Sequence, residues 1–164
     1  MPATPDDLFE ALDRLGIAHP TVSHEPLFTV EQSQALRGQI PGAHTKNLFL
    51  KDRKDAMFLV TVAEDAVVDL KTLPERIGSH RLSFGSAERL MTYLGIAPGS
   101  VTPLAAINDI ARKVTLVLDA ALMRHDVINA HPLVNTMTTS LKREDLVAFL
   151  ASTGHPPRVL EVAA

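Results

Sequence analysis

Apolar positions recur three and four apart in "TPDDLFEALDRLGI" (4–17), where Leu8, Leu12 and Leu15 share one helical face. Acidic residues fill its first turn and Gly16 follows its end, so the stretch predicts an amphipathic opening helix. "PTVSHE" (20–25) reads as a short strand. "TVEQSQALRG" (29–38) reads as a second helix, with Thr29 as N-cap, Gln32 three residues on and Gly38 as terminator. The pattern then changes. "KNLFLKD" (46–52) and "AMFLVTVA" (56–63) are rich in β-forming residues and joined by the polar "DRKD", which predicts an antiparallel hairpin. "DLKTLPERIG" (69–78) and "SAERLMTYLG" (86–95) return to helical character, the latter opening on a Ser cap with Glu at the third position. After the Pro- and Gly-containing "GIAPGSVTP" come three strand candidates, "KVTLVLDAAL" (113–122), "HDVINAH" (125–131) and "LVNTMTTS" (133–140). A closing helix, "KREDLVAFLASTG" (142–154), and a last strand, "PRVLEV" (157–162), complete the chain, and no internal repeat occurs.

Strands that arrive in hairpin-like pairs with helices before and between them predict an α/β (α+β) architecture on a mixed, largely antiparallel sheet. The 164 residues are near the usual size of one domain, and 46% apolar against 21% charged residues suit a chain folded throughout. With no Cys there is no disulfide, thiolate metal site or thiol nucleophile. The N-terminus has neither a basic nor an apolar export region, and no stretch approaches the roughly 18–20 apolar residues that span a bilayer, so a soluble cytoplasmic protein is expected, with no membrane partner.

A net charge of −3 argues against binding nucleic acid by phosphate neutralisation alone. The charge is uneven, however. Residues 1–36 carry Arg14 against six acidic side chains, whereas 37–54 carry Arg37, Lys46, Lys51, Arg53 and Lys54 against Asp52. Neither G-x-G-x-x-G nor G-x-x-x-x-G-K-[ST] occurs, which removes the usual signs of a dinucleotide or P-loop site. G-x-S-x-G is also missing, and the seven histidines form neither H-E-x-x-H nor H-x-H, so a serine hydrolase and a metal enzyme are disfavoured. Three stretches carry chemistry: "HTKNLFL" (44–50), "LGIAPGSVTPL" (94–104) and "HPLVNTMTTS" (131–140). Taken singly each has a structural explanation: a lysine snorkelling at a strand entrance, a Pro-Gly turn, a strand start held extended by Pro132.

Together they carry more. "TKNLFLKD", "RLSFGSAERLMTYLGIAPGSVTPLAAIND", "VTLVLDAAL", "HPLVNTMTTS" and "DLVAFLASTGHPP" follow the order and spacing of the YbaK/ProX family of prolyl-tRNA editing domains, and the resemblance covers nearly the whole chain. It is closest to the free-standing alanyl-tRNA(Pro) deacylases, the PrdX-like or prolyl-tRNA synthetase-associated domains. The resemblance implies a YbaK-like single domain over 1–164 with a barrel-like core surrounded by helices. It also implies hydrolysis, in trans and without cofactor or metal, of the ester on mischarged tRNA(Pro), most of all Ala-tRNA(Pro). Other relatives remove cysteine or another small residue, and a module that binds tRNA or synthetase without turnover is the non-enzymatic alternative. The implied partners are the tRNA(Pro) acceptor end, met by 37–54 and parts of 76–89, and prolyl-tRNA synthetase or an elongation factor.

Carried residue by residue, the family's functional lysine falls on Lys46 and its companion on Asn47. Lys46 then places positive charge near the ester carbonyl or terminal phosphate, and Asn47 orients substrate or water. The family's mobile loop falls on Gly95, Pro98 and Gly99, with a Gly-x-x-Pro spacing that departs from the wider Gly-x-x-x-Pro pattern. The amides from Gly99 through Ser100 to Val101 are expected to meet the substrate carbonyl or the adenosine. His131 matches the histidine near the bound 3′ end. Asn135, Thr136 and Thr138 are expected on a strand whose alternate side chains line the amino-acid pocket.

Overall fold

The computed structural model describes residues 1–26, 35 and 39–163. The helix expected at 29–38 therefore lies outside the described residues, Ala35 excepted. Helix α1 (Pro5–Arg14) starts where its sequence places it. The Thr4 hydroxyl accepts from the Asp7 amide and the Asp7 carboxylate accepts from the Thr4 amide, closing a capping box behind Pro5. Leu8 and Leu12 are fully buried, but Leu15 falls beyond the last turn and is 47% exposed, so it is not part of the buried stripe.

The strands are β1 (Thr21–Ser23), β2 (Ala43–Asp52), β3 (Met57–Ala63), β4 (Leu82–Phe84), β5 (Val114–Asp119), β6 (Val127–Ala130), β7 (Met137–Lys142) and β8 (Arg158–Leu160). They form one mixed eight-stranded sheet in the order β1-β7-β6-β2-β3-β5-β8, with β4 on β2. Helices α2 (Leu73–Ile77), α3 (Ala87–Leu94) and α4 (Arg143–Ser152) follow the expected positions, although α2 occupies only the end of its predicted stretch. At α3 the Ser86 hydroxyl caps the Arg89 amide; Arg89 stands where a capping box needs an acid. The hairpin β2/β3 is antiparallel, and β3 and β5 pair in parallel as near-continuous apolar runs, as strands covered on both faces require.

Alternation along β3 and β5 splits the core. Met57, Leu59, Leu116 and Leu118 face a large cluster with Leu8, Leu12, Leu90, Leu94, Phe149 and Leu150, so α1, α3 and α4 pack on that side. Phe58, Val60, Val62 and Val117 face a smaller cluster with Leu73, Ile77 and Val162.

Three local features differ from the sequence reading. The "LSF" strand β4 was not expected; it extends β2 at Leu50–Asp52. The 95–103 stretch is not plain loop: it holds a 3-10 turn at Pro98–Ser100 and leads into another at Pro103–Asn108. The strand expected over 133–140 begins only at Met137, because Pro132 has no amide to pair and Leu133 adopts φ +72°. Asn135 and Thr136 therefore lie in the connection before β7, not on the strand.

Candidate functional site

The long strand β2 changes neighbours along its length. Ala43 and His44 pair in parallel with Ile128 and Asn129 of β6, while Thr45 to Lys51 pair with β3. "HTKN" occupies this change-over, where the sheet's polar part begins. Continuing the β2/β6 register two steps sets Lys46 level with His131. Because strand side chains alternate, both then project from the same face as His44 and Asn129. The β6/β7 register pairs Asn129 with Ser140 and Ala130 with Thr139, so its continuation brings Thr138 level with His131. On β1, Val22 pairs with Thr138, and His24, two residues on, reaches Thr138 with its Nε2 2.8 Å from the hydroxyl. One face of β2-β6-β7-β1 thus gathers His44, Lys46, Asn129, His131, Thr138 and His24. The opposite face of the same strands presents Ala43, Ile128, Ala130 and Leu141 to the large core cluster.

Lys46 is half-buried, and among the described residues its ammonium has no ion-pair partner. His131 is half-buried too. Burial holds its pKa below the ordinary imidazole value, the bond from its ring to the Met137 carbonyl opposes this, and the charge of His24 adds to the lowering. The His131 Nδ1 lies 2.9 Å from that carbonyl. Burial therefore favours the uncharged imidazole at His131.

Asn47 behaves differently from its expected role. As Lys46's neighbour on an unbulged strand it points to the other face, where Nδ2 donates to the Val101 carbonyl at 3.0 Å and Oδ1 accepts from the Thr61 hydroxyl at 2.6 Å. Its amide ties the 98–101 turn to β2 instead of standing beside the lysine.

The loop residues have distinct positions. Gly95 ends α3 at φ +64°, and a Cβ there would lie 2.8 Å from Asn108 Nδ2, so glycine is needed for both backbone and space. Pro98 starts the 3-10 turn and is exposed, as is Gly99; a Cβ on Gly99 would lie 3.2 Å from Asn135 Nδ2, so the turn borders the 131–137 connection. Ser100 is buried and Val101 half-buried. Asn135 is half-buried, Thr136 is exposed, and Thr138 is 5% exposed.

Sequence reading missed three supports. Asn129, 2% exposed, donates to the carbonyls of Pro41 (3.0 Å) and Ala43 (3.3 Å) and accepts from the Ser140 hydroxyl. Its signal was a carboxamide inside the apolar "VINA". Thr45 donates to the Asn129 carbonyl at 2.7 Å. His24 had no local signal, because its partner is 114 positions away. Among the described residues no three His, Asp or Glu side chains come together as a metal site. A cavity of about 460 Å³ lies elsewhere, walled by Leu15, Ile107, Ile110 and Phe149 with Arg14 and Arg112 at its edge. It shares no residue with the polar face, and its one carboxylate, Asp109, is already engaged by two amides and a histidine.

Known proteins resemble this chain over most of its length. Residues 24–149 match the aminoacyl-tRNA editing domain. The chain is 39% identical over 156 residues to prolyl-tRNA synthetase associated domain-containing protein 1 of Danio rerio, covering 94% of this chain and 85% of that one. It is 35% identical over 152 residues to the prolyl-tRNA editing protein ProX of Acetoanaerobium sticklandii, covering 92% and 93%. A solved structure described as a proposed trans-editing enzyme for prolyl tRNA synthetase shares the fold, with a TM-score of 0.71 at 19% identity over 98% of this chain and 99% of that one. A match that runs from just after β1 into α4, with relatives aligned over more than nine-tenths of this chain, makes it a member of the aminoacyl-tRNA editing domain family.

Proposed function

We propose that this protein is a trans-acting deacylase that hydrolyses the ester of mischarged tRNA(Pro), with alanyl-tRNA(Pro) as its substrate. The observation that carries the reading is the shared face of Lys46, His131 and Thr138, supported by the two prolyl-tRNA relatives. The need is physical. A synthetase pocket built for proline rejects smaller alanine by only about 1–3 kcal/mol, so a second site that admits only small residues restores accuracy.

An aminoacyl ester is already activated, and its hydrolysis needs placement of water and stabilisation of charge. Water adds to the ester carbonyl, the carbonyl oxygen becomes an oxyanion, and the bond to the ribose oxygen then breaks. That oxygen takes up a proton, which releases the free amino acid and the 3′ end. Lys46 is a cation and has no lone pair to act as base; its role is to hold the oxyanion. The 98–101 turn, fastened through Asn47, borders the connection that holds Asn135, and His131 receives the 3′-terminal adenosine.

The acceptor stem would meet the far end of the hairpin. Asp52 accepts from the amides of Lys54, Ala56 and His80, fixing a turn on which Arg53 and Lys54 are fully exposed. They lie about 20 Å from Lys46 along β2 at the usual strand rise, which leaves room for the single-stranded 3′ end between ester and duplex. Arg81 is exposed beside them, next to β4. Replacing Arg53 and Lys54 together by glutamate is expected to weaken tRNA binding and to flatten the dependence of log affinity on log salt by about 1–2. Unchanged affinity and slope in a filter-binding titration would leave this end an ordinary surface.

The reading itself is tested by a deacylation panel that varies amino acid and tRNA separately. Fastest turnover is expected for alanine on tRNA(Pro). Preference for cysteine would change the substrate, and binding without turnover of any ester would make the chain a binding module.

A further inference from the structure

The polar face contains a second imidazole that the proposed reaction does not yet use. His24 follows β1, and its amide donates to the Thr136 carbonyl at 2.8 Å. Its Nδ1 lies 2.7 Å from the Glu25 carbonyl and its Nε2 2.8 Å from the Thr138 hydroxyl. Its ring centre is 6.3 Å from that of His131, with the planes tilted by 53°. Through its backbone and its ring His24 thus joins the end of β1 to Thr136 and Thr138, beside the His131 ring.

The protons of this pair follow from its acceptors. A carbonyl only accepts, so Nδ1 of His24, facing Glu25, and Nδ1 of His131, facing Met137, both carry hydrogen. In the neutral rings each Nε2 is then an acceptor. That of His24 accepts the Thr138 hydroxyl, while that of His131 has no partner among the described residues and stays open to a donor from outside.

We propose that His24 is a positioning residue of the editing site, which holds Thr138 against the His131 loop and keeps the His131 ring in its neutral, Nδ1-protonated form, with Nε2 presented to a hydroxyl or ammonium donor on the aminoacyl-adenosine end. The role in the reaction rests on the deacylase reading; the coupling between the two rings does not. Among the described residues, the titratable groups on this face are His24 from the segment after β1 and His44 and Lys46 from β2. By the same alternation Glu64, whose amide bonds the His44 carbonyl, and Lys142 at the end of β7 also stand on it, with Thr138 and Ser140 between; Glu25 meets His24 through its backbone carbonyl. The charge that acts on His131 is that of His24, and it adds to the effect of burial by disfavouring the imidazolium.

Protonation of His24 changes more than one charge. Its Nε2 then donates to the Thr138 oxygen, and the hydroxyl hydrogen must turn away. The same proton reverses the donor sense of Thr138 and opposes a charge on His131.

The test compares wild type with His24→Gln and His24→Ala, each first checked for an unchanged melting profile. Glutamine retains a polar group able to reach Thr138, whereas both variants remove the neighbouring charge. In imidazole NMR of the free protein, His131 is expected to titrate at higher pH in both variants. If alanyl-tRNA(Pro) is the substrate, the acid limb of kcat/KM moves upward in both, the direction that removing a neighbouring charge dictates. Glutamine recovers most of the rate that alanine loses at the plateau. An unmoved His131 titration in both variants overturns the coupling. A moved titration with an unmoved acid limb overturns the positioning role, and absence of deacylation by wild type on every ester overturns the functional reading while the NMR result still judges the coupling.

Discussion

Asp109→Ala is expected to lower folding stability by about 3–5 kcal/mol, because it leaves several buried hydrogen-bonding groups without their common acceptor. Asp109 and His155 are 2% and 5% exposed, and their side chains meet at 2.9 Å. The same carboxylate accepts from the amides of Lys113 at 3.1 Å and Val114 at 2.8 Å, the residues that lead into β5. His155 in turn lies 2.9 Å from the Thr153 hydroxyl just past the end of α4. One carboxylate thus fixes the start of a central strand to the end of the closing helix. Alanine leaves a cavity, two amides and an imidazole without their acceptor. In a domain of this size the loss corresponds to a fall of roughly 10 °C in Tm. Asp109→Asn retains shape and part of the bonding and should lose less. Urea unfolding of both variants checks this, and a midpoint for alanine equal to wild type would show that the pair contributes nothing.

Lys46→Met should lower kcat/KM for alanyl-tRNA(Pro) by about 10²–10³-fold, the usual cost of removing one donor to a developing oxyanion. Methionine retains the apolar stem over neighbours such as Leu48 and Val62, so the fold is kept while the charge is removed. Affinity for tRNA should change little, because phosphate contacts at the hairpin end supply most of it. Single-turnover deacylation separates the two quantities. Undiminished deacylation would remove Lys46 from the mechanism.

The parts of this fold written in short-range pattern were legible in the sequence. Thr4 and Asp7 mark the start of α1, the polar "DRKD" closes the hairpin, and the apolar runs of β3 and β5 signal strands covered on both faces. The likeness to the editing family also pointed to Lys46, His131 and Thr138, which a continuation of the β2/β6 and β6/β7 registers sets level. What failed depended on geometry that adjacent letters do not carry. Asn47 follows Lys46 in sequence but faces the other way, since strand neighbours always do. Asn135 and Thr136 leave the strand because Leu133 adopts a left-handed backbone at φ +72°, which its apolar side chain gives no reason to expect. The strain is held by packing: Leu133 is 7% exposed within the large cluster, next to the candidate site. β4 is too short for alternation to reveal it, and it exists because β2 offers an edge at Leu50–Asp52. His24 and Asn129 matter through partners far along the chain, which no local window contains.

The rates of alanyl-tRNA(Pro) and prolyl-tRNA(Pro) deacylation by the wild-type protein, measured side by side under single-turnover conditions, address the central claim most directly. The proposed specificity predicts that the alanyl ester is cleaved at least about tenfold faster, the discrimination that a few methylenes provide when the larger side chain is excluded. Equal rates, or faster loss of proline, would contradict a site shaped to admit the smaller residue.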